Sequence, residues 1–287
     1  MARLRLPPHL LAIVLFVTSQ CPRMLGQSSE SATAPSLDVL STRYNRVLDT
    51  IKFKLVNNSQ KAATAYYLAF GVPRENHVLW ESGVGRDLID LMLTSQCRSA
   101  GTNLPEGDDL WEGAIKPGDV YINSQMSNLP KNQLPGVNPP VRTAVLGVIW
   151  SDGSVETPPV PGAKTGWVTS SIKLALRGRK EAAEASANVV AILNAHPEDT
   201  DIQHRIDEAI KSLQSLVDDY RSAQQPYSAF VVHKVIVDDL NNLVASPTPK
   251  ASFDKYRATF ECRYKHRVAL QQASSAKPDS ESLSPDR

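Results

Sequence analysis

The chain has 287 residues, of which 41% are hydrophobic, and its 31 basic residues nearly balance its 30 acidic ones. This near-neutral charge excludes a dedicated nucleic-acid-binding protein, which would carry a clustered basic excess. The length is compatible with two domains of ordinary size, each roughly 100–150 residues.

Residues 1–26 are predicted to be a signal peptide. Arg3 and Arg5 form a basic start, and the apolar run LLAIVLFV that follows is too short to remain as a membrane anchor. Lipidation of Cys21 is not expected, because Gln20 is bulky where a lipoprotein signal needs a small residue. No later apolar run is long enough to span a bilayer. We therefore expect an exported protein, periplasmic or extracellular, without a transmembrane segment in its mature part.

Residues 27–43 are expected to be a flexible segment, and residues 44–160 to form an antiparallel β-sandwich of the immunoglobulin-like type. Residues 51–55 alternate apolar and polar, and residues 65–70 resume the strand pattern after a turn, which predicts a hairpin. Further strand candidates are residues 77–80, 88–93, 114–115, 120–122 and 141–150. About seven short strands separated by turns are typical of such a sandwich.

Residues 167–274 are predicted to form an antiparallel helical bundle, which makes the fold class α+β with two domains. An Ala-rich segment covers residues 170–194, and Thr200 and Gln203 have the spacing of a capping box. Pro226 and Pro249 suit the first turns of two further helices. Residues 275–287 are apolar-poor and are expected to be a disordered tail.

Cys97 and Cys262 are the two cysteines that remain outside the predicted leader. Export would place them in an oxidising compartment, where a disulfide between the two domains is permitted. The alternative is a pair of free, buried thiols, and the sequence does not decide between them because it fixes no geometry. In the last helix, Cys262 is expected to point away from the aromatic stripe that contains Phe260.

Motifs for common chemistries are missing from the sequence, so no catalytic residue, metal ligand or cofactor is predicted. The histidines lack H-x-x-x-H spacing, and the Lys164-Thr165 pair lacks the spacer and leading glycine of a P-loop. Ser154 follows Asp152-Gly153, a strong two-residue hairpin signal, and it does not lie in a G-x-S-x-G elbow. We therefore interpret Ser154 as turn chemistry and not as a nucleophile.

The segment 106–112 is the one candidate ligand site in the sequence. Asp108 and Asp109 offer carboxylates beside Trp111, whose flat face could stack on a sugar ring. A charged loop of this kind is more often simply solvated. It is retained as a possible ligand-binding surface.

Three segments, KFKLVNNSQKAATAYYLAF, IKPGD and VLGVIWSDGSVE, suggest a family likeness. Together they resemble the front domain of uncharacterised exported bacterial proteins with an immunoglobulin- or fibronectin-like sandwich followed by helices. The matching residues are Asn57, Ser59, Lys61, Pro117, Gly118, Asp152, Gly153 and Ser154. The resemblance implies export and a β-sandwich, and it implies no activity.

These observations predict an exported, non-enzymatic binding or structural module whose sandwich loops contact a partner. The expected partner is a protein or a cell-envelope glycan. The competing hypothesis is an exported hydrolase or carbohydrate-binding protein with its site near residues 106–112, built on Asp108, Asp109 and Trp111.

Overall fold

The structure is a computed structural model that describes residues 37–89, 92–93, 97, 114–127, 129, 140–195, 202–241 and 249–275. The predicted leader lies outside these ranges, as does the predicted tail apart from Ser275. Within them, no helix combines the length and apolarity that crossing a membrane requires.

Within the described residues, seven strands form two antiparallel sheets. The first sheet has the order β1-β2-β5, with β1 Leu37–Asn45, β2 Thr50–Asn57 and β5 Val120–Met126. The second sheet has the order β4-β3-β6-β7, with β3 Ala63–Pro73, β4 Val78–Asp87, β6 Arg142–Trp150 and β7 Val155–Glu156. The chain therefore changes sheets between β2 and β3, between β4 and β5, and between β5 and β6.

The structure corrects three details of the strand prediction. Strands β2 and β3 do not form a hairpin, because each lies in a different sheet. The segment that begins at Leu88 is helical where it is described, and the Met92 N–H donates to the Leu88 carbonyl at 3.0 Å. Strand β1 begins at Leu37, inside the segment expected to be flexible. Short apolar runs such as residues 88–93 suit a buried strand and a buried helix equally, so periodicity alone misassigned this one.

Strand β3 is the centre of the fold, and all its residues from Ala63 to Val72 are buried. One face, with Tyr66 and Phe70, shares a core with Phe53 of the first sheet. The opposite face is covered by the first helix. Strand β6 is likewise apolar on both faces, as its sequence predicts for a strand in a covered sheet.

Four helices follow the strands and confirm the α+β class. They are α1 Gly166–Ala195, α2 Ile202–Ser222, α3 Pro226–Val235 and α4 Pro249–Ser275. A single π-helical turn, Ile236–Leu240, extends α3. Pro226 stands in the first turn of α3, and Pro249 begins α4, as expected for a ring that needs no N–H partner.

Helix α1 is shared between the sheets and the other helices. It has 30 residues and is therefore about 45 Å long. Its first half packs Val168 and Ile172 on the second sheet, and its second half contributes Val189 and Leu193 to a core formed with α2, α3 and α4. Gly147 makes the sheet contact close, since a Cβ there would lie 2.9 Å from Val168 Cγ1.

A disulfide and a close backbone contact connect helix α4 to the part of the chain that precedes the helices. Cys97 and Cys262 form a disulfide with a Cα–Cα distance of 5.5 Å. As expected, Phe260 enters the helical core while Cys262 reaches another part of the chain. Near the helix end, a Cβ on Gly153 would lie 2.4 Å from Ser274 Cα, so the β6–β7 turn abuts the backbone of α4.

Candidate functional site

The ligand site considered from the sequence cannot be located in the structure. Asp108, Asp109 and Trp111 lie outside the described residues, so that hypothesis stays a prediction. Trp80, a second tryptophan of the strand region, is half-buried, and its Nε1 donates to the Pro161 carbonyl at 3.1 Å.

The residues that carry the family resemblance meet at one end of the two sheets. Asn57 is completely buried, and its Nδ2 donates to the carbonyls of Lys61 and Ile115, both at 2.7 Å. Its Oδ1 accepts from the Ser59 N–H at 2.9 Å, and its carbonyl accepts from the Gly118 N–H at 2.8 Å. A single asparagine thus joins the β2–β3 connection to the Pro-Gly turn.

Ser154 belongs to the same end and has a structural role. Its N–H donates to Asp152 Oδ1 at 3.0 Å, and its carbonyl accepts from the Trp150 N–H at 2.9 Å. The Lys61 ammonium contacts both the Asp152 carboxylate at 2.8 Å and Ser154 Oγ at 3.0 Å. A lysine that activates a serine must be a neutral base. Here the lysine instead pairs with a carboxylate and holds the turn.

The turn itself differs from the predicted two-residue hairpin. Residues 151–153 separate the bonded residues Trp150 and Ser154, so the connection has three residues. Gly153 has φ of +77°, which is the left-handed conformation that closes such a turn. The glycine is needed as predicted, but at the end of a longer loop.

A cavity of about 220 Å³ lies where the end of β4 meets helices α1, α3 and α4. Its walls are mainly apolar, and their aliphatic members are Ile89, Ala175, Ala182, Val231, Val235 and Leu270. Phe230 stands in the lining with 59% of its surface exposed. An apolar cavity with a few polar groups, located between structural layers, is the usual form of a small-molecule site.

Arg179 is the polar group most deeply placed in this cavity, with only 7% of its surface exposed. Its Nε and Nη2 donate to the two carboxylate oxygens of Asp87 at 3.1 and 3.2 Å, and Nη2 also contacts the Thr64 carbonyl at 3.3 Å. Its Nη1 is buried and has no hydrogen-bond partner among the described residues. A buried donor without an acceptor costs about 1–3 kcal/mol.

Two further basic side chains line the cavity. Arg267 of α4 is 7% exposed and donates from Nη1 to Ser186 Oγ at 2.8 Å. Lys234 of α3 also contributes to the lining. Among the described lining residues, the carboxylate is Asp87.

Close packing of α3 on α1 forms one side of the cavity. A Cβ on Gly178 would lie 2.9 Å from Tyr227 Cε1, so the tyrosine ring lies directly on the α1 backbone. The buried Glu181 accepts from Arg177 Nε at 2.8 Å and from Ser228 Oγ at 2.7 Å, which links the same two helices. These contacts hold α3 in place along the cavity.

Tyr67 lies on the sheet side of this region and is expected to stay neutral. Burial is the main reason that its pKa rises well above 10, and the nearby Asp87 carboxylate raises it further. Its hydroxyl donates to the Ser171 carbonyl at 3.3 Å. Tyr67 therefore adds no negative charge beside the ion pair of Asp87 and Arg179.

Local sequence patterns indicate little of this cavity. Arg179 belongs to the run RGRK, which is typical of a solvated helix face. Val231 and Val235 are four residues apart and therefore lie on one side of α3, but this spacing does not show that they line a cavity. The site needs residues from four separate elements, so local patterns could not reveal it.

A second cluster surrounds the disulfide. One ligand atom each of Cys97, Cys262 and His266 lies within 4.8 Å of the others. Soft metals bind thiolates, and the two sulfur atoms here are joined to each other. In the oxidised state the cluster is therefore a structural cross-link.

No protein-family model, curated protein or solved structure matches the chain. The function is therefore inferred from the geometry of the cavity and its charged residues.

Proposed function

We propose that this chain is an exported, non-enzymatic binding module whose small-molecule site is the cavity between β4 and helices α1, α3 and α4. The observation that carries the proposal is the combination of mainly apolar walls with the buried guanidinium of Arg179, which Asp87 holds in place. Apolar walls with a few fixed polar groups are the usual composition of a small-molecule site.

The groups in the cavity favour binding over catalysis. Asp87 is the only carboxylate among the described lining residues, and its two oxygens accept from Arg179. One of them also accepts from the Ile89 N–H at 3.0 Å. A general base needs an oxygen free to take a proton from substrate, and these contacts oppose that role.

We further propose that the strand region is an immunoglobulin-like sandwich and that the helices form a second, supporting domain. In a constant-type immunoglobulin domain, the first, second, fifth and fourth strands share one sheet, and the third, sixth and seventh share the other. The order β1-β2-β5 and β4-β3-β6-β7 differs only in the fourth strand, which pairs with β3. This similarity of strand order supports the family resemblance and, with it, export.

A cavity-blocking variant tests the proposed site. Ala182 lines the cavity, so Ala182→Phe should fill it and abolish binding of an apolar fluorescent dye to the full chain. Ala191 is exposed on the same helix, and Ala191→Phe is the matched control that should bind the dye normally. Equal dye binding by both variants would contradict the assignment, provided that circular dichroism shows both to be folded.

The protein or glycan partner predicted from the sequence needs a different experiment from the one that tests the cavity. A pull-down with peptidoglycan should be repeated with Trp111→Ala, because Trp111 is the residue on which the glycan hypothesis depends. Retention that disappears in this variant would favour a surface near residues 106–112 over the cavity as the functional site.

A further inference from the structure

We infer that Cys97, Cys262 and His266 form a zinc site when the disulfide is reduced. The same position in the chain then carries either a disulfide or a bound Zn²⁺ ion, and never both. The inference is independent of the proposed function, because none of these three residues lines the cavity.

The three ligand atoms already lie close together. One atom from each of Cys97, Cys262 and His266 lies within 4.8 Å of the others. In a tetrahedral site with Zn–S of about 2.3 Å and Zn–N of about 2.1 Å, neighbouring ligand atoms are about 3.5–3.8 Å apart. Once the bond between the sulfur atoms is broken, rotation of the two cysteine side chains can provide this spacing without a new backbone arrangement.

Two of the ligands come from one face of helix α4. Cys262 and His266 are four residues apart, so their side chains lie one turn from each other on the same side. The same spacing places two histidines on one metal ion in known helical zinc motifs. The third ligand, Cys97, is 165 residues from Cys262, so the three residues form no local motif in the sequence.

Packing keeps Cys97 near α4 after the disulfide is broken. Met92 and Leu93, just before Cys97, form an apolar cluster with Leu270 of α4. The Cys97 N–H donates to the Leu93 carbonyl at 3.0 Å, which ties the cysteine to this cluster. None of these contacts involves a sulfur atom, so reduction leaves them in place and the ligands remain together.

The ligand types favour zinc. Two thiolates and one imidazole, with a water in the fourth position, are a ligand set that Zn²⁺ takes in proteins. The two negative thiolates balance the divalent ion, so the site avoids the cost of burying a net charge. Cys97 is only 4% exposed, whereas Cys262 and His266 are half-buried and leave the ion and its water a route from solvent.

Reduction is the step that opens the site. A phosphine reductant takes up the oxygen of one water molecule and becomes the phosphine oxide, and the disulfide becomes two thiols. A cellular dithiol achieves the same reduction by exchange and becomes a disulfide itself. Each thiol then releases its proton to solvent as zinc binds. Oxidation reverses the change and expels the ion, because a disulfide offers no thiolate.

Equilibrium dialysis against Zn²⁺, with and without a phosphine reductant, tests the inference. Cys21→Ser in the full chain leaves Cys97 and Cys262 as the only cysteines. We expect one zinc ion per reduced chain and none per oxidised chain. Mg²⁺ should not compete, because it prefers oxygen ligands.

Histidine variants in this background identify the third ligand. His266→Ala should weaken zinc binding to the reduced chain by at least about tenfold, since loss of even an outer-shell partner costs that much. His233→Ala is the matched control and should bind normally, because His233 is exposed on another helix, α3.

Circular dichroism of the reduced chain accompanies the dialysis. If reduction unfolds the chain, zinc should restore its helical signal, because metal binding then drives folding. Four results would overturn the inference: no zinc on the reduced chain, equal zinc on the oxidised chain, equal binding by His266→Ala and His233→Ala, or an unfolded reduced chain that zinc does not refold. None of them bears on the cavity, which Ala182→Phe tests separately.

Discussion

Removing the Cys97–Cys262 disulfide should destabilise the fold by several kilocalories per mole. The two cysteines are 165 residues apart, and the loop-entropy relation for a cross-link of that length gives about 5 kcal/mol at 25 °C. Measured losses for native disulfides are about 2–5 kcal/mol. Because a domain is stabilised by only about 5–15 kcal/mol in total, the bond accounts for a large share.

The residues around the disulfide indicate which contacts weaken first when the bond is removed. The segment before Cys97 places Ile89, Met92 and Leu93 in a small apolar cluster with Leu270 of α4. Ile89 and Leu270 also line the cavity. Cys262→Ser should therefore weaken ligand binding as well as stability, since two parts of the cavity wall lose their cross-link.

Urea unfolding of four proteins measures the effect: the unmodified chain, Cys97→Ser, Cys262→Ser and the double variant. Each variant removes the same bond, so all three should lose a similar free energy of unfolding, within about 0.5 kcal/mol. Losses below about 1 kcal/mol in all three would refute the loop-entropy argument. Thiol alkylation of the chain after removal of the predicted leader provides the chemical check, because neither Cys97 nor Cys262 should be modified before reduction and both should be modified afterwards.

Three further substitutions test other parts of the fold by urea unfolding. Burial raises the pKa of Tyr66 far above 10.0, so the contribution of the neutral phenol to the free energy of unfolding is complete below pH 10. This contribution is lost as the pH rises further, by at most about 1.4 kcal/mol per pH unit. Tyr66→Phe should flatten this alkaline decline in stability, and an unchanged slope would contradict the reasoning. Gly153→Ala should lower the free energy of unfolding clearly more than Gly118→Ala does. Both glycines have positive φ, but only a Cβ on Gly153 would meet the backbone of Ser274. Equal losses of stability would show that the β6–β7 turn does not abut α4. Asn57→Ala should cost about 1–3 kcal/mol, because the Asn57 amide no longer donates to the carbonyls of Lys61 and Ile115 or accepts from the Ser59 N–H, and a loss below about 0.5 kcal/mol would mean that water replaces the amide.

Elements with a strong local pattern could be predicted from the sequence. The alternation over residues 51–55, the continuous apolar run in β6, and the prolines at 226 and 249 all specify their structure through the nearest neighbours in the chain. Gly153 was identifiable because a tight turn needs a residue that tolerates positive φ. The hairpin expected between β2 and β3 was wrong because the pattern of one strand does not specify the strand with which it pairs.

The sequence by itself determined where most strands and helices lie, because periodicity records which side of each element is buried. Only the tertiary structure decided the sheet order, the pairing of Cys97 with Cys262, and the cavity around Arg179. Each of these depends on contacts between residues that are distant along the chain. Arg179 illustrates the reason: the position of its guanidinium depends on Asp87, 92 positions away, whose carboxylate accepts from Nε and Nη2.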